Sequence, residues 1–129
     1  MATTLKDLRQ RVGGIGFCDD TVITTAISGS DSAKIVDNKL TFANDAINFG
    51  WVAVVSGSAG GDRRRIADWV LSTTTLTPDR NFTAAVSSGD GVEIHRLFSP
   101  DRKDAAVNQS IRESLKKWLR HIENETIVI

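Results

Sequence analysis

Glu93 and His95, two apart in this 129-residue chain, are a pair whose types and spacing could support proton transfer. Two positions apart on a strand they share a face, and a carboxylate beside an imidazole is a general acid–base arrangement. No Gly-x-Ser-x-Gly or similar nucleophile motif accompanies them. A surface or interface pair is therefore the preferred reading, and a small hydrolase using Glu93 and His95 the lesser one. Gly57-Ser-Ala-Gly-Gly-Asp62 has the glycine content of a phosphate loop. Asp62, however, stands where the lysine of such a loop belongs, and a strand rather than a helix is expected to follow. A hairpin turn is expected there. Asp19-Asp20 and Asp31 are candidates for a hard cation, but the glycine and closing glutamate of a calcium loop are missing, so turn and cap duty is expected. Cys18 gains no thiolate stabilisation from Asp19 beside it. The expectation is no enzyme, no metal and no cofactor.

Arg63-Arg64-Arg65 is the sharpest charge cluster. On a strand, two of these guanidiniums point to one face and the third to the other. The plainer reading is a solvated edge strand kept from aggregating by its charge. The functional reading is contact with acidic groups of a neighbouring subunit, such as Asp62 or Asp68. Nucleic acid is the weaker candidate, because no interleaved aromatics accompany the arginines. Overall charge agrees: 16 basic residues balance 16 acidic ones, so no general attraction to DNA or to an anionic membrane is expected. One cysteine excludes an internal disulfide framework and suits a reducing compartment. No run approaches the length of a membrane span. Tyrosine is absent, which leaves Trp, Arg and aliphatic side chains as contact anchors.

The elements that must position these groups are read from apolar periodicity. The length fits one domain, 1–129. A short helix is predicted over 4–12, capped by Thr4 with Asp7 three positions on, and stopped by Gly13-Gly14. Residues 21–97 read as a β module. Strands are expected at Val22–Ile27, Ala33–Asp37, Lys39–Phe42, Trp51–Ser56, Ile66–Leu71 and Val92–Leu97, the last closing the set. Thr73–Thr77 either continues the strand before it or forms an edge of its own. A helical turn is expected at Asn44–Asn48. The fold class is α+β: a small antiparallel β-barrel or sandwich with a short N-terminal helix and a long C-terminal amphipathic helix.

That last helix is predicted over 100–124, with Ser99 as cap and Pro100 in its first position. Val107, Ile111, Leu115, Trp118 and Ile122 fall at spacings of 4, 4, 3 and 4, with Leu119 alongside, while Arg112, Glu113, Lys116, Lys117 and Arg120 take the other face. Packing on the chain's own strands is the plain expectation. A helix of about 22 residues nevertheless reaches about 33 Å, more than a small barrel needs. Part of the face, and the apolar tail 125–129, are expected to bury against another subunit. Trp118, Leu119, Ile122, Ile127, Val128 and Ile129 thus join Arg63, Arg64 and Arg65 as interface candidates. A terminal apolar strand is also suited to strand addition. His121 is most simply a favourable cation near a helix end.

Five stretches covering about half the chain carry a family resemblance. They are Gly50-Trp-Val-Ala-Val-Val-Ser-Gly57, Gly61-Asp-Arg-Arg-Arg-Ile-Ala-Asp-Trp69, Phe82-Thr-Ala-Ala-Val-Ser-Ser-Gly-Asp90, Glu93-Ile-His-Arg-Leu97 and Ala106-Val-Asn-Gln-Ser-Ile111. In residue order and turn placement the chain resembles small virion structural proteins from the head and neck region of tailed bacteriophages. The resemblance implies a neck adaptor or head–tail connector subunit, made in the host cytoplasm and built into the virion. It also implies a homo-oligomeric ring with heterologous contacts, closed about a symmetry axis. Portal and other neck or tail proteins would be its partners, and DNA would pass without being specifically bound. The chain departs from the pattern after its Gly-Asp turn, where Gly91-Val92 stands in place of an aromatic. That leaves the position in the particle open, with a capsid decoration or cement protein as the alternative.

Overall fold

Val52, Val54, Val92 and Ile94 alternate with residues of other kinds along two short runs, and this period of two sets which side of each strand is buried. The computed structural model describes residues 3–15 and 21–125, with side chains over 3–11 and 21–117. In chain order its elements are α1 (Leu5–Ile15), β1 (Thr21–Thr25), β2 (Ile35–Val36), β3 (Trp51–Val54), β4 (Arg63–Val70), β5 (Thr75–Pro78), β6 (Gly91–His95) and α2 (Pro100–Glu125). The strands form one antiparallel six-stranded sheet in the order β1-β6-β3-β4-β5-β2. The protein is therefore α+β. Just past the end of β1, the Ile27 N–H donates to the Val36 carbonyl of the other edge strand at 2.9 Å, and β1 and β2 are not paired as a ladder. The ladder that would close a barrel is not formed.

Register gives the sheet two unlike faces. Val22, Ile94, Val52 and Arg64 lie across from one another in one row, and Ile23, Glu93, Ala53 and Arg63 in the next. Because side chains alternate, the first row faces one side and the second the other. The first side holds the core: Val52, Val54, Val92 and Ile94 pack with Ile35, Leu40, Ile47, Ile66, Trp69, Leu76, Phe82 and Val86. Each such side chain contributes about 1.5–3 kcal/mol when fully buried. Trp69 is fully buried and its indole N–H is satisfied by the Phe42 carbonyl at 3.0 Å. A register shift between Ile66 and Asp68 lets both Ile66 and Trp69 point inward, although they are three positions apart.

Capping chemistry starts both helices where expected. The Thr4 hydroxyl accepts the Asp7 N–H at 3.2 Å, and Asp7 accepts the Thr4 N–H at 2.9 Å, so each satisfies a helix-end donor. Contrary to the predicted stop, α1 runs through Gly13 and Gly14 to Ile15. Glycine disfavours a helix by about 1 kcal/mol per residue, less than a docked helix gains from tertiary contact, and α1 packs on α2 and β1. In α2, Ser99 supplies the cap through its hydroxyl to the Arg102 N–H at 3.3 Å.

Further corrections concern the strands. Residues 39–42 are not a strand, because Asp37 accepts the Lys39 N–H and turns the chain there. The expected edge strand bearing Arg63–Arg65 is interior: β4 lies between β3 and β5. Likewise β6, the last strand in chain order as expected, lies inside the sheet between β1 and β3 rather than at its edge. Thr73–Thr77 corresponds to a strand of its own, β5, which is flanked on both sides rather than at an edge.

Candidate functional site

The second face of the sheet is covered by the two helices, and charge, not grease, joins them. Arg9 of α1 donates through Nε to Glu93 Oε2 at 3.0 Å and through Nη2 to Glu93 Oε1 at 3.2 Å. Its Nη1 reaches both carboxylate oxygens of Asp104 on α2, at 2.8 and 3.0 Å. Gln10 adds a bond to Glu93 Oε1 at 2.8 Å. His95 Nε2 meets Glu93 Oε2 at 3.0 Å, and Lys103 Nζ meets His95 Nδ1 at 3.0 Å. An ammonium can only donate, so His95 Nδ1 accepts and Nε2 carries the proton given to Glu93. Lys103 also donates to the Thr21 hydroxyl at 2.6 Å. Arg63 closes the outer side on Asp104 at 2.6 Å and on Asp101.

Electrostatics follow from this arrangement. Glu93, His95 and Lys103 are fully buried and Arg9 nearly so. Burial alone would raise the Glu93 pKa, but hydrogen bonds from His95, Arg9 and Gln10, with the Arg9 charge, outweigh it and bring it to about 2. Burial lowers the His95 pKa, aided by the positive charges of Lys103 and Arg9 and opposed by its bond to Glu93. Burial likewise works against the Arg9 charge, yet Glu93 and Asp104 overcome it and raise its pKa. Arg9, Arg63 and Lys103 balance Glu93, Asp101 and Asp104, so the knot is neutral with an uncharged imidazole at its centre. A buried ion cluster is tolerated only when it is paired and bonded in this way.

The surface-pair reading of Glu93 and His95 is thus overturned. They do share a strand face, but that face lies beneath two helices. As an acid–base dyad the pair is poorly placed: a carboxylate held near pH 2 and already bonded by three groups has little basicity to offer. Beside the knot, an open cleft of about 250 Å³ runs between α1 and the β3–β4 hairpin, lined by residues that include Leu5, Lys6, Arg9, Ala53 and Arg63. Neither Glu93 nor His95 lines it.

The three arginines separate. Arg63 is spent on α2 of its own chain. Arg64 points to the core side, where it lies 6.0 Å above the Phe82 ring, bonds the Asn81 carbonyl at 3.1 Å and approaches Asp62 at 3.5 Å. An acidic group of its own chain thus lies within reach of this guanidinium. Arg65 is exposed and lies 5.6 Å from the ring of Phe49, itself 71 % exposed and held at a positive φ of 66°. The glycine-rich loop is a hairpin turn as expected, with Asp62 accepting the Thr83 N–H and hydroxyl at 2.6 and 2.9 Å. Asp31 serves a turn, accepting the N–H groups of Ala33 and Lys34. Cys18, Asp19 and Asp20 lie outside the described residues, as do Ile127, Val128 and Ile129.

Along α2 the expected apolar stripe parts company with the body. Val107 is buried at 7 % exposure, whereas Ile111 and Leu115 are 44 % and 53 % exposed, and every residue from 108 to 117 is exposed. The plain expectation, packing on the chain's own strands, holds only as far as Val107. Trp118, Leu119 and Ile122 belong to the same helix further out, where only the backbone is described.

Arg9, Gln10, Lys103 and Asp104 were not singled out by sequence. A signal existed: Arg9 follows Leu5 by four positions, and Lys103 precedes Val107 by four, so both charges lie on apolar helical rows. Searches of protein-family models, of curated proteins and of solved structures each found no match to this chain. Among the described residues, no helix is long and apolar enough to cross a membrane.

Proposed function

We propose that this chain is a structural subunit of a tailed-phage virion: a neck adaptor or head–tail connector protein that assembles into a ring between portal and tail. The observation that carries this reading is the departure of α2 from its own sheet after Val107, with Ile111 and Leu115 left open to solvent. A helix rooted in a rigid ionic knot and apolar beyond it is built to be completed by another molecule. The β module then contributes to the lateral contacts, with Arg65 and the exposed Phe49 as its anchors, since aromatic and arginine side chains dominate interface energetics. A formal net charge of zero suits a ring through which DNA passes without being held. The burial and saturation of Glu93 and His95 favour this role over a hydrolase.

Native mass measurement tests the proposal, on the purified protein alone and mixed with a candidate portal. A ring, alone or on the portal, is expected; a monomer under both conditions overturns it. Antibody labelling of virions should mark one vertex. Label over the whole shell would replace the connector with a cement protein.

A further inference from the structure

Ile111, Leu115, Trp118 and Ile122 are spaced 4, 3 and 4 apart, which is the alternation of a heptad seam rather than of a broad core-facing stripe. With Ile111 in a d position, the a positions are Asn108, Leu115 and Ile122, and Trp118 is the next d. The flanking e and g positions, 112, 114, 119 and 121, carry no acid and only Arg112 as a fixed charge. Charges collect on the outer positions instead, where Gln109 Nε2 bonds Glu113 Oε1 at 3.0 Å along the helix. The seam begins where burial ends: Val107 is covered and Asn108 to Lys117 are not.

We infer that this distal half of α2 packs against the same half of α2 in the copy on either side, forming a circle of parallel helices that surrounds the channel of the ring. The inference rests on the ring-forming role proposed above, because cyclic symmetry is what makes the helices parallel. Three features of the helix point to a second copy rather than to a foreign partner. Side by side and in register, parallel copies bring Arg112 opposite Val107 and Ser114 opposite Leu119, so no like charges meet. A single polar a residue, Asn108, is a device that fixes register among identical helices. Leu119 at e widens the seam beyond a and d, so that each helix can meet a neighbour on either side, as a circle of helices requires. From Val107 to Glu125 the helix extends about 27 Å, enough for two heptads.

The test uses the full-length chain with Cys18→Ser as background. Leu115→Cys should give a disulfide between copies on mild oxidation, and Lys116→Cys, on the outer face, should not. Leu115→Lys should reduce the native mass from oligomer to monomer with an unchanged far-UV spectrum, since Leu115 makes no core contact to lose. An oligomer that survives Leu115→Lys, or that fails to cross-link through Leu115→Cys, overturns the circle of helices and leaves a ring held by the β module. A chain that is monomeric alone yet assembles on a portal also overturns the circle of helices while keeping the connector role. A chain monomeric in both settings removes the two together.

Discussion

Arg9 and Glu93, 84 positions apart in sequence, are joined by two bonds of 3.0 and 3.2 Å beneath the covering helices. This contact ties α1 to the interior strand β6, and the remaining nitrogen of Arg9 ties both to Asp104 of α2. One guanidinium thereby fixes the root of the projecting helix. Its planar fork suits the task, because it presents fixed donors toward two carboxylates at once, which a lysine ammonium does not.

Arg9→Met should cost about 3–5 kcal/mol, the usual penalty for leaving buried charge without its partner. Arg63→Met removes a partly exposed partner from Asp104, which Arg9 still holds, and should cost about 1 kcal/mol or less. Urea unfolding of the two variants checks the ranking. Equal losses would mean that the inner and outer arginines share the load.

Acid should loosen the knot in two stages. His95 is held neutral below its ordinary 6.5. As pH falls through about 6.5 the unfolded chain takes up that proton first, so stability starts to decline there. Glu93 has its folded value depressed from 4.5 to about 2. Its contribution is fully present above about pH 4.5 and is lost as pH falls toward 2, about 3 kcal/mol in all. Urea midpoints measured from pH 8 to 3 should show both declines. His95→Asn should flatten the first and Glu93→Gln the second.

How far the sequence reveals this molecule depends on the range over which each interaction acts. Thr4 with Asp7, and Ser99 with Pro100, announce their helices because a cap is made within three residues. The alternation Val92-Glu93-Ile94-His95 shows a strand with one polar side, and β6 is that strand. What alternation does not reveal is that the polar side is covered, because the covering residues Arg9 and Lys103 come from opposite ends of the chain. Strand order is hidden for the same reason: β6 is last in sequence yet interior in space, between β1 and β3, a matter of long-range pairing. The stripe on α2 was plain from its spacing, but where the body ends beneath it was not. Only Val107 against Ile111 in three dimensions shows that boundary.

Gly57 and Gly61 separate backbone strain from crowding in the β3–β4 hairpin. Both have a positive φ, +80 and +99°, where an L side chain costs about 1–2 kcal/mol. A Cβ on Gly61 meets nothing within 4 Å, whereas one on Gly57 lands 2.2 Å from the Asp90 carboxylate. That carboxylate accepts the Ser87 N–H at 2.8 Å and would have to leave it. Gly61→Ala should therefore show the backbone cost alone, and Gly57→Ala that cost plus about 1 kcal/mol for the lost bond. Adding Asp90→Ala to each should close the gap between them; a persistent difference would place the crowding elsewhere.

Val107 and Leu115 lie on one row of α2, yet only the first belongs to the core of the single chain. Val107→Ala removes buried methyl groups and should lower stability by about 1–2 kcal/mol. Leu115→Ala takes a larger group from an exposed position and should change the stability of a dilute monomer by no more than about 0.5 kcal/mol. At concentrations where copies associate, the order should reverse, because the leucine is then the one that gains cover. Thermal melting at two protein concentrations separates these cases. A Leu115→Ala variant that melts early at both would mean that α2 folds back on its own sheet, and that its apolar row is spent inside one molecule.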